Sequence, residues 1–262
     1  MLVIGELING MYKAAGNAIK KREKSVIQKL AKDQVTAGAG VLDVNTGPAS
    51  IEPKSDMKWL VETIQEVLDI PLALDSTKAD VIEEGLKVVK RKAFINSINA
   101  DDDKLNTLIP IAKKYKAQLI GLAMDKRGIP RDRIQRSELA LKIVSSCIEK
   151  EFPIEDLYID PVVLPVNVAQ AQGVEVLESI REFKLLCDPP PKTVVGLSNI
   201  SQGTKKRSLI NRTFLVMAAS CGLSAAILDP LDSELMDALI TAELLLNQHI
   251  YCDSYLDAYR KK

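Results

Sequence analysis

The sequence predicts a single-domain (β/α)8 TIM barrel that spans residues 1–262. Short apolar segments recur about 30 residues apart, and each is followed by a stretch with apolar residues at helical spacing. There are eight such units, which is the number that the barrel requires. Strands that are apolar on both faces are typical of a parallel sheet covered by helices. An open doubly wound sheet is the alternative, but no Gly-x-Gly-x-x-Gly motif follows the first strand.

The predicted strands are short apolar runs that end at a polar residue, a glycine or a proline. They cover residues 2–4, 41–45, 72–75, 93–96, 118–122, 157–160, 193–197 and 225–228. The turn Asn9-Gly10 follows the first strand, and Thr46-Gly47-Pro48 stops the second.

The predicted helices fill the intervals between the strands. Ser25 and Ser55 are expected to cap the first two, whose apolar residues run to Val35 and Leu68. The other helices are predicted near 78–90, 102–115, 136–150, 170–187, 210–221 and 232–258. The last is long and amphipathic, so it could close the barrel or also contribute to a dimer contact.

The composition excludes several classes of protein. Lysine plus arginine equals aspartate plus glutamate, at 35 each, which argues against nucleic-acid binding through a broad basic face. No apolar run approaches the roughly 20 residues of a membrane span. The N-terminus lacks a basic leader, and the cysteines at 147, 187, 221 and 252 form no Cys-x-x-Cys pair. A cytoplasmic protein with free thiols and no metal site is therefore expected.

The chain has one histidine, His249, in an apolar helical run far from any strand end. A packing or surface role is expected for it, so an enzyme built on this chain would carry out acid–base chemistry without imidazole.

Four predicted strand regions end in an amide or a carboxylate. Asp75 follows Ala73-Leu74, Asn96 follows Phe94-Ile95, Asp160 follows Tyr158-Ile159, and Asn199 lies just beyond Thr193-Val194-Val195. Because the carboxyl ends of barrel strands share one face, these four side chains are expected to meet in one pocket. The segment Gly196–Gly203, a polar loop bounded by glycines, is the centre of this predicted site.

Each of these residues also has a purely structural interpretation. Asp75 could cap the next helix, Asn96 could satisfy a turn, and Asp160 precedes a proline that forces extended backbone. Taken together, four such ends among eight strands favour a binding site. Two carboxylates and two amides suit a flat heterocycle with several N–H groups. The basic run Lys205-Lys206-Arg207 could meet a carboxylate tail or simply be solvated.

Several motifs resemble the pterin-binding barrel family, and within it the methyltransferases that act between 5-methyltetrahydrofolate and a corrinoid/iron–sulfur protein. They are Ile4-Gly5-Glu6, Leu42-Asp43-Val44-Asn45, Leu74-Asp75-Ser76-Thr77, Ile95-Asn96-Ser97, Asp156 to Pro161, Gly196 to Gln202 and Asn211-Arg212. The resemblance covers essentially the whole chain. One departure is Leu7, where relatives commonly carry an arginine after the glutamate.

The resemblance implies transfer of the N5 methyl group of methyltetrahydrofolate to the Co(I) corrinoid of a partner protein, in the reductive acetyl-CoA pathway. It implies that Asp75, Asn96 and Asp160 hold the pterin. Gly196, Ser198 and Gln202 would line the site, and Asn199 would be the catalytic residue that hydrogen-bonds at N5. A homodimer is also implied.

The corrinoid is expected to come with the partner, a corrinoid/iron–sulfur protein. Cobalamin-binding modules with an Asp-x-His-x-x-Gly motif need a histidine in that frame, which His249 does not provide. Two other functions stay open. A dihydropteroate synthase-like enzyme would need an anion site, yet strand eight ends in Leu228-Asp229-Pro230. A folate-binding module without catalysis would need no donor directed at N5.

Overall fold

Eight parallel strands close into one barrel in the order in which they occur along the chain, as a computed structural model of residues 1–248 shows. The predicted fold class is therefore confirmed. The strands are β1 Leu2–Asn9, β2 Val41–Asn45, β3 Leu72–Asp75, β4 Phe94–Asn99, β5 Gln118–Leu122, β6 Leu157–Asp160, β7 Lys192–Gly196 and β8 Ala225–Leu228. Pairing of β1 with β8, from Leu2 opposite Ala225 to Gly5 opposite Leu228, completes the closure.

Helices surround the barrel and bury one face each against it. They are α1 Lys13–Lys21, α2 Lys24–Thr36, α3 Pro53–Gln65, α4 Ala79–Leu86, α5 Asp102–Tyr115, α6 Arg133–Glu149, α7 Gln172–Glu182, α8 Arg207–Ser220 and α9 Ser233–Leu245. A short 3-10 helix, Leu197–Ser201, follows β7 directly.

Helix α1 was not predicted from the sequence. It has nine residues, of which only Ala15, Ala18 and Ile19 are buried. Ile19 is the one large apolar residue among these three, so the segment lacks the repeated large apolar residues by which the other helices were predicted.

The two predicted serine caps are wrong. Helix α2 begins at Lys24, with Glu23 at the N-cap position, and α3 begins at Pro53. Proline is favoured at the first helical position, so Ser55 lies inside α3. The Ser55 hydroxyl and carbonyl instead accept hydrogen bonds from Arg22.

Two strands are longer than predicted, and the last helix is shorter. Strand β1 runs on to Asn9 and β4 to Asn99, because their polar ends still pair with β2 and β5. Helix α9 ends at Leu245, shortly before Asn247 adopts a left-handed φ of 58° that stops a helix. The part of the predicted helix from residue 249 onward, with His249 and Cys252, lies outside the described residues.

The inside of the barrel is filled by a layer with one residue from each strand. Phe94 and Tyr158 meet there edge to face, with ring centroids 5.3 Å apart. The layer consists of Ile4, Val41, Ala73, Phe94, Ile120, Tyr158, Val194 and Ala225. It closes the barrel below the carboxyl ends of the strands, so a ligand that enters from that end meets an apolar floor.

No helix within residues 1–248 is both long enough and apolar enough to cross a membrane. Cys147, Cys187 and Cys221 are free thiols.

Candidate functional site

A second interior layer, lying toward the carboxyl ends of the strands, carries most of the polar groups of the candidate site. Side chains alternate along a strand, so the residue two positions after each member of the apolar layer also faces inward. These positions are Glu6, Asp43, Asp75, Asn96, Leu122, Asp160, Gly196 and Ile227. Five of the eight are carboxylates or amides, an unusual density for a barrel interior.

Strands β2, β3 and β4 contribute a connected group of amides and carboxylates. The Asn45 Nδ2 group donates to Asp75 Oδ2 at 2.6 Å, while Asn45 Oδ1 accepts from the Gly47 backbone N–H at 2.7 Å. The Asn96 Nδ2 group donates to Asp43 Oδ1 at 2.9 Å. Asp75 and Asn96 are neighbours in the strand register. Each predicted pterin contact of this group is thus held in place by a residue of β2.

Two carboxyl groups in this cluster are held in a desolvated space. Asp43 is only 3% exposed. Burial, and then the nearby Asp75 charge, raise the pKa of Asp43 well above its ordinary value, although the Asn96 hydrogen bond opposes this. Burial also raises the pKa of Asp75 against the Asn45 hydrogen bond. The pair therefore favours a ligand that donates N–H groups or positive charge to it.

Asp160 closes the opposite side of the mouth, at the end of β6. It is 7% exposed, and its Oδ1 accepts from the Val162 backbone N–H at 2.7 Å. Burial raises the pKa of Asp160 to about 7, while backbone N–H groups of Val162 and Gly196 act against the shift. Its link to Gly196 connects this carboxyl to the loop that carries Asn199.

Asn199 lies in the 3-10 helix after β7, and its side chain is exposed. Its Nδ2 atom lies 3.0 Å from the position that a Cβ on Gly196 would occupy, so the amide packs directly over the glycine. The amide makes no hydrogen bond to any side chain or backbone group among residues 1–248. Gln202 is exposed too, and its backbone N–H donates to the Asn199 carbonyl at 3.2 Å. Both amides are available to a ligand.

Glu6 and Arg207 hold the β7 loop from two sides. Glu6 Oε1 accepts from Ser198 Oγ at 2.7 Å, so the hydroxyl of Ser198 is already engaged within the protein. Burial raises the pKa of Glu6, and the Ser198 hydrogen bond lowers it. Arg207 Nε donates to Ser201 Oγ at 3.1 Å and its Nη2 to the Ser198 carbonyl at 3.3 Å. The guanidinium of Arg207 therefore supports the loop, whereas the sequence suggested a solvated cation or a contact with a substrate tail.

The structure brings the predicted site residues to one end of the barrel, in two groups. Asp75 and Asn96 share the β2–β4 cluster, while Asp160, Gly196, Ser198, Asn199 and Gln202 belong to the β6–β7 side. Their contacts with a ligand stay predictions.

The sequence reasoning gave no role to Glu6, Asp43 or Asn45. The signal that could have found them is the alternation of inward-facing residues, which puts Glu6 two residues after Ile4, and Asp43 and Asn45 two and four residues after Val41. No group of three or more histidine, cysteine, aspartate or glutamate side chains in the described part of the chain could hold a metal ion.

Comparison with protein families gives one match over most of the chain. The family described as "Pterin binding enzyme" matches residues 14–229. This range includes β2 to β8 and every predicted site residue.

Two curated proteins show how far the similarity extends. A methylcorrinoid:tetrahydrofolate methyltransferase of Eubacterium limosum is 27% identical over 266 residues, which cover 100% of this chain and 97% of that protein. A methionine synthase of Mycobacterium tuberculosis is 28% identical over 241 residues, which cover 87% of this chain. The match spans 20% of the methionine synthase, so it concerns about a fifth of that longer protein.

Solved structures share the fold. A dihydropteroate synthase from Coxiella burnetii in complex with pteroic acid superposes with a TM-score of 0.70 and 14% identity, covering 95% of this chain and 94% of that one. A Yersinia pestis dihydropteroate synthase with a pterine–sulfa conjugate gives a TM-score of 0.70 and 17% identity over the same shares. At this identity the likeness concerns the barrel architecture alone.

Proposed function

Since the chain belongs to the pterin-binding enzyme family, we propose that it is a methyltransferase acting between N5 of a reduced folate and the cobalt of a corrinoid. The substrate is 5-methyltetrahydrofolate, and the methyl acceptor is a Co(I) corrinoid carried by a separate protein. Full-length similarity to a methylcorrinoid:tetrahydrofolate methyltransferase supports this choice within the family.

The observation that carries the proposal is the side-chain amide of Asn199, which lies at the rim of the mouth and is free to bind a ligand. The carboxylates of the mouth are held in place by hydrogen bonds within the protein. Asp75, Asn96 and Asp160 supply acceptors for the N–H groups of an aminopyrimidinone edge. The Asn199 side chain has no partner among residues 1–248 and lies on the far side of the mouth from Asp75. It is therefore available to a ring nitrogen of a pterin held at the other end.

The chemistry explains why a neutral amide is useful at this position. When Co(I) attacks the methyl carbon, it supplies the electron pair of the new bond, and N5 keeps the pair of the broken carbon–nitrogen bond. A tertiary amine is a poor leaving group, so N5 must take up a proton. An amide is no Brønsted acid near neutral pH, but it stabilises the protonated nitrogen by a hydrogen bond and its dipole. We infer that the proton comes from water through a hydrogen-bond network.

The direction of net transfer is set by the methyl donor and acceptor supplied, because both directions cross the same transition state. The name of the Eubacterium limosum relative puts the corrinoid first as donor. For this chain we propose transfer from the folate to the corrinoid of a corrinoid/iron–sulfur protein in the reductive acetyl-CoA pathway, in the cytoplasm. A homodimer that binds no corrinoid of its own completes the proposal.

The rim beside Asn199, at β8 and β1, does not favour the dihydropteroate synthase alternative. That reaction releases pyrophosphate and needs a cationic site. Asp229 directly follows β8, and burial raises its pKa. The charge of Asp229 also raises the pKa of Glu6. Two carboxyl groups at this rim oppose the binding of an anion.

A methyl-transfer assay with methyltetrahydrofolate and free Co(I) cobalamin tests the proposed function. The parent chain should form methylcobalamin, and Asn199→Ala should lower the single-turnover rate by about 10²-fold with a smaller loss of folate affinity. Asn106→Ala, at an exposed asparagine of α5, is the matched control and should keep the parent rate.

Three results would contradict the proposal. Folate binding by the parent without transfer would indicate a binding module. Condensation of a pterin with aminobenzoate would indicate a dihydropteroate synthase. An unchanged rate in Asn199→Ala would remove that residue from the mechanism.

A further inference from the structure

A cleft of about 580 Å³ lies beside the barrel mouth, outside the polar layer. It starts at Gly10 and Thr46, the residues directly after β1 and β2, and extends outward along α1 and the loop before α3. The Gly10 backbone N–H donates to the Asn45 carbonyl at 2.8 Å. A Cβ on Gly10 would lie 2.2 Å from the Thr46 carbonyl oxygen, so the two loops are in backbone contact at the rim. The cleft therefore begins at the outer edge of the mouth, just beyond the contact between these two loops.

The walls of this cleft carry an excess of unpaired positive charge. Lys13 and Lys20, seven residues apart on α1, both line it, and neither forms a salt bridge with a described residue. At the outer corner, Arg22 is neutralised by Asp56 at 2.6 Å. Glu52 is the one other carboxylate among the lining residues. Two lysines against one glutamate leave a site that attracts anions.

The proposed orientation of the folate directs its tail toward this side of the barrel. In a reduced folate the tail leaves from C6, next to N5 and at the end of the ring system opposite the aminopyrimidinone edge. That edge is assigned to β3, β4 and β6, and N5 to Asn199 after β7. The strand order of the closed barrel then places β8, β1 and β2 on the side that C6 faces. The cleft lies on this side, outside the loops that follow β1 and β2.

We propose that this cleft binds the γ-linked glutamate tail of a polyglutamylated folate, with Lys13 and Lys20 as its cationic contacts. The proposal rests on the proposed function, since it needs a folate in the mouth. Each γ-linked residue adds one carboxylate, so affinity should increase with tail length. Lys205 and Lys206 follow the Asn199 loop and are the competing cations on the β7 side of the mouth. The next residue, Arg207, is not a further competitor, because its guanidinium holds the Ser198 loop.

Titration calorimetry with methyltetrahydrofolate that carries one or three glutamates tests the proposal on the full chain. The triglutamate should bind about three- to tenfold more tightly than the monoglutamate at low ionic strength, and the ratio should shrink as salt is added. In Lys13→Gln/Lys20→Gln the ratio should fall toward one.

Two single variants serve as matched controls of opposite kinds. Lys21→Gln, on the same helix but outside the cleft lining, should keep the parent ratio. Glu52→Gln removes the opposing carboxylate and should increase the ratio.

Equal affinities for the two substrates in the parent would overturn the tail site and leave the proposed function intact. A ratio lost in Lys205→Gln/Lys206→Gln but kept in Lys13→Gln/Lys20→Gln would move the tail to the other rim. Failure of both folates to bind would contradict the proposed function itself.

Discussion

At the scale of single residues, the position of Asn199 depends on a neighbour that has no side chain. Gly196 has an ordinary φ of −78°, so its backbone conformation does not require glycine. What requires glycine is space, since an added Cβ would lie 3.0 Å from Asn199 Nδ2. The glycine therefore sets how close the amide lies to the mouth.

We expect Gly196→Ala to move the Asn199 amide outward and to lower the methyl-transfer rate about tenfold, because a small displacement of a catalytic donor is costly. The melting temperature should change little, since Asn199 is exposed and can yield. Gly173→Ala is the control, because its Cβ would meet nothing within 4 Å. Rate and thermal melting are measured together, and a parent-like rate in Gly196→Ala would show that the contact does not position the amide.

At the scale of secondary-structure elements, β2 supports its neighbours although it holds no residue predicted to touch the pterin. Asp43 accepts from the Asn96 amide on β4, and Asn45 donates to Asp75 on β3. Because one side-chain N–H of Asn96 donates to Asp43, the Oδ1 atom of the same amide is oriented as an acceptor. The strand thus fixes which hydrogen-bonding groups the mouth presents.

Two substitutions of Asp43 separate its hydrogen bond from its charge. Asp43→Asn keeps an oxygen that can accept from Asn96, so folate affinity should stay within about threefold of the parent. Asp43→Ala leaves a partly buried N–H group of Asn96 without its acceptor, so we expect about tenfold or greater loss of affinity. Calorimetry measures the affinity, and circular dichroism checks that both variants are folded. Equal affinities for the two variants would contradict a positioning role.

At the scale of the whole molecule, the interior carboxyl groups lower the stability of the folded barrel at pH values where they would ionise. Burial raises the pKa of Asp43, Asp75 and Asp160, so the folded chain holds protons at a pH where the unfolded chain has released them. The free energy of unfolding contributed by these groups therefore falls as the pH rises, for Asp160 between about 4 and about 7. A ligand that pairs with these carboxylates offsets the cost.

Asp160→Asn should therefore be more stable than the parent at pH 8, by roughly 2 kcal/mol, with a much smaller difference at pH 5. Its folate affinity should be lower, because the negative acceptor is lost. Denaturant unfolding at the two pH values measures the first effect, with Asp103→Asn, an exposed aspartate of α5, as the control. The same stability difference at both pH values would argue against titration of Asp160 in this range.

The elements that the sequence predicted well are those whose signal is local. All eight strands were found, with β2, β3, β5, β6 and β8 at their observed bounds, because short apolar runs between polar turns mark a buried parallel strand. Helix α1 was missed because it is short and its buried face carries one large apolar residue, Ile19. The predicted serine caps of α2 and α3 were wrong because Glu23 and Glu52 occupy the two N-cap positions.

The barrel, its single domain and the family could all be predicted from the amino-acid sequence, since they follow from repeated local patterns and ordered motifs. The folded structure was needed to show which side chains support one another. The Asn96–Asp43 hydrogen bond joins residues 53 apart in the chain, and the Ser198–Glu6 bond joins residues 192 apart. The folded barrel also assigned Arg207 to its own loop and formed the cleft beside β1 and β2. Such contacts depend on barrel closure and strand register, and neither is encoded in any short stretch of sequence.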